Sequence, residues 1–352
     1  MTLSGATSRT RQVTLTCRRT FWFLHTLELS EEIQMGSLTG FLQERFAAAC
    51  PPGWTCRREA DVLDDEWQGV LGYAARADVL LTRDDGQKRL WIEFEVSRAD
   101  PVANHAKFAT SHLFQPQPPT DTFVAMVSSH VTRGRRNLAA NTILLMRRVG
   151  MRAFQTMLLP NTSPSEIKRL NHLSSGDLLL QSIDTHAEIA RAMLVSSAIS
   201  TNSEYELHYA GDLLDVLSNA KQWNDEVESQ LGKELWGKRT IKYFIYDAAT
   251  GLFAPSKFCA YINALPHGHS ESRMHNQLMS MRLYTSLDES EPKFDGNLAQ
   301  SHLQRQLNMR LTTPEESPHI SHNFASWQAR HANHIRIHPS GPVFLVAPNW
   351  FV

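Results

Sequence analysis

The stretch that most constrains this chain is Arg76 to Val96, in which two alternating segments meet at Asp85-Gly86. Asp-Gly between alternating runs is a strong short-range hairpin signal, because both residues tolerate the positive φ that a two-residue type I′ turn requires. Pairing Asp84 with Gln87 fixes the register outward: Leu80 opposite Trp91, Asp78 opposite Glu93, Arg76 opposite Glu95. Strand side chains alternate between faces. Asp78, Glu93 and Glu95 therefore share one face, and Ala77, Val79, Leu81, Leu90, Ile92, Phe94 and Val96 share the other. The second face is apolar and belongs to a core. The first gathers three carboxylates whose mutual repulsion is costly unless a cation lies among them. Hard oxygen donors of this kind suit Mg²⁺, with Mn²⁺ as a substitute. The competing expectation is a half-solvated hairpin in which Arg76 and Arg89 neutralise the acids as a surface ion-pair lattice.

Periodicity places this hairpin in a longer order of elements. A helix is predicted over Leu38 to Ala49, carrying Glu44, and a strand over Trp54 to Leu63. After the hairpin, Asp100 reads as an N-cap before Pro101, opening a helix Val102 to Leu113 on which Asn104, Lys107 and Ser111 share a stripe. A buried strand Thr122 to Ser128, a helix from Arg133 to about Val149 and a strand Arg152 to Leu159 follow.

With Arg76-Ala77-Asp78 closing one strand and Glu93-Phe94-Glu95 on the next, this order resembles the PD-(D/E)XK nuclease superfamily, the fold of many type II restriction endonucleases. The resemblance covers roughly residues 35 to 160. It implies an α/β fold with a mixed β-sheet flanked by helices. Glu95 stands where the motif has lysine, which implies an E-x-E version, with Lys107 of the following helix as the replacement. By the same resemblance, Mg²⁺ is held by Asp78, Glu93, the Phe94 backbone carbonyl and Glu95. Catalysis falls to Asp78, Glu93, Glu95 and Lys107, supported by Glu44, Arg76 and Asn104. The implied activity is Mg²⁺-dependent hydrolysis of phosphodiesters in double-stranded DNA at a recognised sequence. A homodimer would match a palindromic duplex, and a cognate methyltransferase would act on the same site. Two other readings stand beside it: a structure-selective repair or phage-defence nuclease, and a catalytically silent DNA-binding or interaction protein on the same scaffold.

The remaining sequence adds context. The length of 352 residues accommodates more than one core, and a formal net charge of −1 does not announce a nucleic-acid binder. Local basicity is clearest at Arg133, Arg135, Arg136, Arg147 and Arg148, which with Lys257 and Asn297 are candidate DNA contacts. Cys17, Cys50, Cys56 and Cys259 lack CxxC spacing, so free thiols and a cytoplasmic location are expected. No apolar run is long enough to span a membrane, and Phe21 to Leu29 is too short for a signal peptide. The expected organisation is an extension over residues 1–34, a nuclease-like domain over 35–165, a helical linker over 166–239 and a smaller α+β domain over 240–352 for recognition or dimerisation. Within the latter two, Tyr205 to Val216 shows a helical stripe, Ile241 to Asp247 and Val343 to Val346 read as strands, and Pro, Ser and Asn interrupt any helix through His319, His322 and His331.

Overall fold

A computed structural model describes residues 37–97, 101–200, 206–237, 240–264 and 296–351. These lie in one compact unit, Met35–Val352. The predicted extension over 1–34 and the predicted cap Asp100 lie outside the described residues.

The chain opens with α1 (Ser37–Ala48), β1 (Trp54–Asp61), α2 (Asp65–Leu71), β2 (Arg76–Arg83) and β3 (Arg89–Glu95). It continues through α3 (Pro101–Phe114), β4 (Thr122–Ser128), α4 (Arg133–Arg148) and β5 (Arg152–Leu158). The five strands form one sheet in sequence order. β2 runs antiparallel to both β1 and β3, whereas β3, β4 and β5 run parallel. Parallel neighbours need crossover connections, and α3 and α4 supply them. One face of the sheet is covered by Leu38, Phe41, Leu42 and Phe46 of α1. The other packs Leu80, Trp91 and Phe123 against Phe108 of α3 and Ile143 and Met146 of α4. Both faces are therefore covered at the middle of the sheet, where β3 is buried from Leu90 to Glu95, while the edge strand β1 stays mostly exposed. The hairpin is not half-solvated as the competing expectation required.

Leu80 lies opposite Trp91, the predicted register. The turn differs from the prediction. Gly86 has φ 70° while Asp85 does not enter the positive region, so the connection is not type I′. Instead the Arg83 N–H donates to the Lys88 carbonyl across a loop in which the Asp85 carboxylate accepts the Gln87 N–H at 2.9 Å. The register survives because Arg83–Lys88 continues the ladder that Asp84–Gln87 would have closed. Ala77 also departs from the prediction: it packs with Ala60, Ala75 and Trp91, on the face opposite Val79 and Leu81.

Beyond β5 come α5 (Pro164–Leu170), α6 (Ser175–Leu179), α7 (Thr185–Ser196), β6 (Ala198–Ser200), β7 (Glu206–Tyr209), α8 (Leu213–Val227) and α9 (Gln230–Trp236). Then follow β8 (Thr240–Ile241), β9 (Tyr243–Asp247), β10 (Leu252–Pro255), α10 (Ser256–Cys259) and β11 (Tyr261–Ala264). The chain closes with α11 (Gly296–Arg305), β12 (Arg310–Thr312), α12 (Pro318–His331), β13 (Arg336–Ile337) and β14 (Val343–Val346). The stretch expected to be a linker is shared between two cores. Ile167, Leu170, Leu178, Ile189 and Val195 complete the face covered by α1, while Val216, Trp223 and Trp236 join Phe244, Phe253, Trp327 and Phe344 in a separate aromatic core. That core rests on a sheet of order β10-β9-β14-β12.

The predicted helical stripe from Tyr205 breaks, because β7 occupies its first part and α8 starts only after Asp212, whose carboxylate accepts the Asp215 N–H at 3.0 Å. Conversely, Pro318 to His331 forms one continuous helix: its proline sits in the first turn, where no N–H is needed, and Ile320, Phe324 and Trp327 bury one side. Among the described residues no helix is long and apolar enough to cross a membrane.

Candidate acidic site where two strands diverge

β2 and β3 pair from Thr82–Arg89 to Val79–Ile92, and the ladder then opens. The Asp78 carboxylate fills the opening. Its Oδ2 accepts the Phe94 N–H at 2.7 Å and its Oδ1 accepts Gln43 Nε2 at 2.9 Å. The same Gln43 nitrogen donates to Glu59 Oε1 at 2.5 Å. Glu59 stands on β1 with φ 46°, between the Arg58–Val79 and Ala60–Ala77 pairs. Glu93 and Glu95, two residues apart on β3, are 4 % and 6 % exposed. Glu95 accepts Asn104 Nδ2 of α3 at 3.1 Å. Glu93 Oε1 is buried without a hydrogen-bond partner.

Electrostatics follow from this geometry. Burial, and then the carboxylates of Asp78, Glu95 and Glu59, push Glu93 well above the usual carboxylate range, with Lys107 opposing them. Burial raises Asp78 to about 6, against the stabilising hydrogen bonds from Phe94 and Gln43. The two arginines expected to neutralise the group are engaged elsewhere. Arg76 Nε meets Asp61 at 2.8 Å, and Arg89 meets Asp121 at 2.7 Å, where Trp91 Nε1 also donates. Glu93 and Glu95 are thus buried beside Asp78, while Arg76 and Arg89 are paired with other carboxylates.

Beside them, Ala74, Arg76, Asn104, Lys107 and Phe108 line a cavity of about 230 Å³. Three side chains singled out from sequence, Arg76, Asn104 and Lys107, thus meet at one place. Ser111, on the same predicted stripe, is turned back into its helix, donating to the Lys107 carbonyl at 2.7 Å. Glu44 is not brought to the acids: it pairs with Arg58 at 3.5 Å with its side chain 60 % exposed. Gln43, its neighbour, takes that place. Gln43 is a polar residue among the buried Phe41, Leu42 and Phe46, which sequence alone does not place at the acids. Nor does it place Glu59, whose approach depends on a backbone kink that alternation does not encode. The Phe94 carbonyl accepts the Val96 N–H at 3.1 Å.

The donors are all hard oxygens, and the orphaned Glu93 Oε1 together with the repulsion around it is the chemistry that Mg²⁺ or Mn²⁺ satisfies. The carboxylates do not converge on a single point: among the described residues no three His, Cys, Asp or Glu groups lie closely enough together to hold a metal.

The expected DNA contacts divide. Arg133, Arg135 and Arg148 are exposed, as is Asn297, and Lys257 is half-buried. Arg136 is a correction. It is buried, donates to the carbonyls of Ser129 at 2.9 Å and Trp350 at 3.1 Å, and stacks on the Trp350 ring at 4.3 Å, so it ties the carboxyl-terminal segment to α4. Arg147 likewise is buried against Asp215 at 3.2 Å and the Ala153 carbonyl at 2.6 Å. Both fall on the inward stripe of α4 with Ala139, Ala140, Ile143 and Met146.

Comparison of the chain with protein-family models, with curated proteins and with solved structures gives no match in any of the three.

Proposed function

We propose that the protein is a Mg²⁺-dependent nuclease acting on double-stranded DNA, with its active site at Asp78, Glu93 and Glu95. The observation that carries this reading is Glu93: a buried carboxylate with an unpartnered oxygen, set among the acids of Asp78, Glu95 and Glu59, with Arg76 and Arg89 paired elsewhere. A fold that keeps such a group uncompensated forgoes stability, which a function explains better than packing does. The PD-(D/E)XK resemblance and the helix-flanked mixed sheet support the same reading.

In that reading Asp78, Glu93 and Glu95 would have to draw closer together to hold the ion, with the Phe94 carbonyl beside them. When bound there, Mg²⁺ would supply charge stabilisation at the phosphoryl group and lower the pKa of an attacking water. The chain's own residues do the rest. Asn104 orients Glu95 through its hydrogen bond, and Gln43 restrains Asp78. Lys107, which acts electrostatically on Glu93, offers positive charge to an incoming phosphate. Exposed Arg133, Arg135 and Arg148 provide further backbone contacts, and a homodimer would place two such sites on opposite strands.

A second reading, a DNA-binding scaffold without catalysis, is favoured by one observation: Asp78 is already satisfied by Gln43 and Phe94, and among the described residues no three-ligand group is formed. Incubating unmodified plasmid and linear DNA with Mg²⁺, with EDTA, and with the Glu93→Ala variant separates the two. The nuclease reading expects Mg²⁺-dependent cleavage that falls by at least about 100-fold in the variant. DNA binding without cleavage, indifferent to Mg²⁺ and to Glu93, would establish the silent scaffold.

A further inference from the structure

The cavity beside the acids has a character of its own. Its walls combine two cationic side chains, Arg76 and Lys107, with the amide of Asn104 and the apolar Ala74 and Phe108. Among the described residues Lys107 forms no salt bridge, and Arg76 reaches Asp61 through Nε. At about 230 Å³ the cavity is too small for a duplex and large enough for a phosphate group with part of its nucleoside. It adjoins the acidic cluster through shared residues: Asn104 lines the cavity and holds Glu95, and Lys107 lines it and acts on Glu93.

We propose that this cavity is a receptor for a terminal phosphate monoester of a nucleic-acid strand, which would set the strand end against the neighbouring acids. The inference rests on the nuclease reading for its substrate class. Its chemical basis is charge. A phosphate monoester carries close to two negative charges at neutral pH, as a phosphorylated side chain does, whereas an internal phosphodiester carries one. Two cations and an amide within one small cavity therefore favour the chain end over the chain interior. A bidentate guanidinium and a mobile ammonium provide complementary donors for its oxygens.

The test measures binding of the full-length protein to fluorescent single-stranded and duplex oligonucleotides bearing a 5′-phosphate, a 3′-phosphate or hydroxyls at both ends. Binding is read by anisotropy in EDTA at fixed ionic strength, with inorganic phosphate as competitor. The proposal expects a phosphorylated end to bind at least about ten-fold more tightly than the hydroxyl-ended strand, and inorganic phosphate to erase that preference. Lys107→Ala and Arg76→Ala should each reduce the preference to less than about two-fold while the circular dichroism spectrum is unchanged. Which end is preferred identifies the source of the monoester. Equal affinity for all ends, or a preference that survives both substitutions, overturns it. Equal affinity together with Glu93-dependent cleavage in Mg²⁺ would remove the end receptor and leave the nuclease reading standing. A lost preference in the variants without cleavage under any metal would do the reverse.

Discussion

Glu93 is where a single residue tests the electrostatics most sharply. Its carboxyl titrates well above the usual range because burial and three neighbouring carboxylates disfavour its charge. A carboxyl whose folded pKa is raised leaves stability intact below the unfolded value, about 4.3, and removes it as pH rises through the folded value. Asp78, raised to about 6, acts in the same direction. In EDTA the protein should therefore be less stable at pH 8 than at pH 5, and Glu93→Gln, which cannot ionise, should be more stable than the parent at pH 8. Urea unfolding at the two pH values checks this; a variant that is less stable than the parent at pH 8 would show that Glu93 is compensated. Glu93 and Glu95 were legible in the sequence as neighbours on one face of β3, although the ladder opens before the expected pairing of Asp78 with Glu93. Gln43 and Glu59 were not, since one depends on how α1 lies against the sheet and the other on a left-handed backbone residue inside β1.

At the scale of elements, the informative places are those where alternation or basicity misleads. The hairpin register follows from hydrophobic pairing and tolerates a different loop, so the Asp-Gly signal located the turn correctly while misjudging its type. In α4 the basic run reads as one surface, but the helical period turns Arg136 and Arg147 inward while Arg133, Arg135 and Arg148 stay outside. A run of like charges in sequence says nothing about which of its members a helix will bury. Two kinds of effect should separate accordingly. Arg136→Ala should destabilise by about 1–3 kcal/mol, leaving the Ser129 and Trp350 carbonyls without their donor and the Trp350 ring without its cation. Arg135→Ala, at an exposed position, should stay within about 0.5 kcal/mol on stability. Thermal unfolding of the two variants side by side reads the difference, and equal effects would contradict the assignment.

For the whole molecule, the strands and helices of the first half followed from periodicity, except α2, which it missed, while the mixed sheet they form was an expectation of the resemblance. The second half was legible only in part. Its short strands pair with distant partners, as β9 does with β14, and no local pattern encodes that. The join between the two halves is close. A Cβ on Gly211 would collide with the backbone carbonyl of Gln155 on β5, while Arg147 of α4 reaches Asp215 of α8. Gly211→Ala should therefore cost about 1–3 kcal/mol by forcing α8 away from β5, measurable by denaturant unfolding, and a neutral effect would show that this join is loose. The central claim is that this fold presents an acidic cluster to a divalent cation. Isothermal titration of the full-length protein with Mn²⁺ tests it most directly. Saturable binding that Glu93→Gln and Asp78→Asn each weaken by at least about ten-fold is the predicted result, and no binding, or binding that both substitutions leave unchanged, would contradict it.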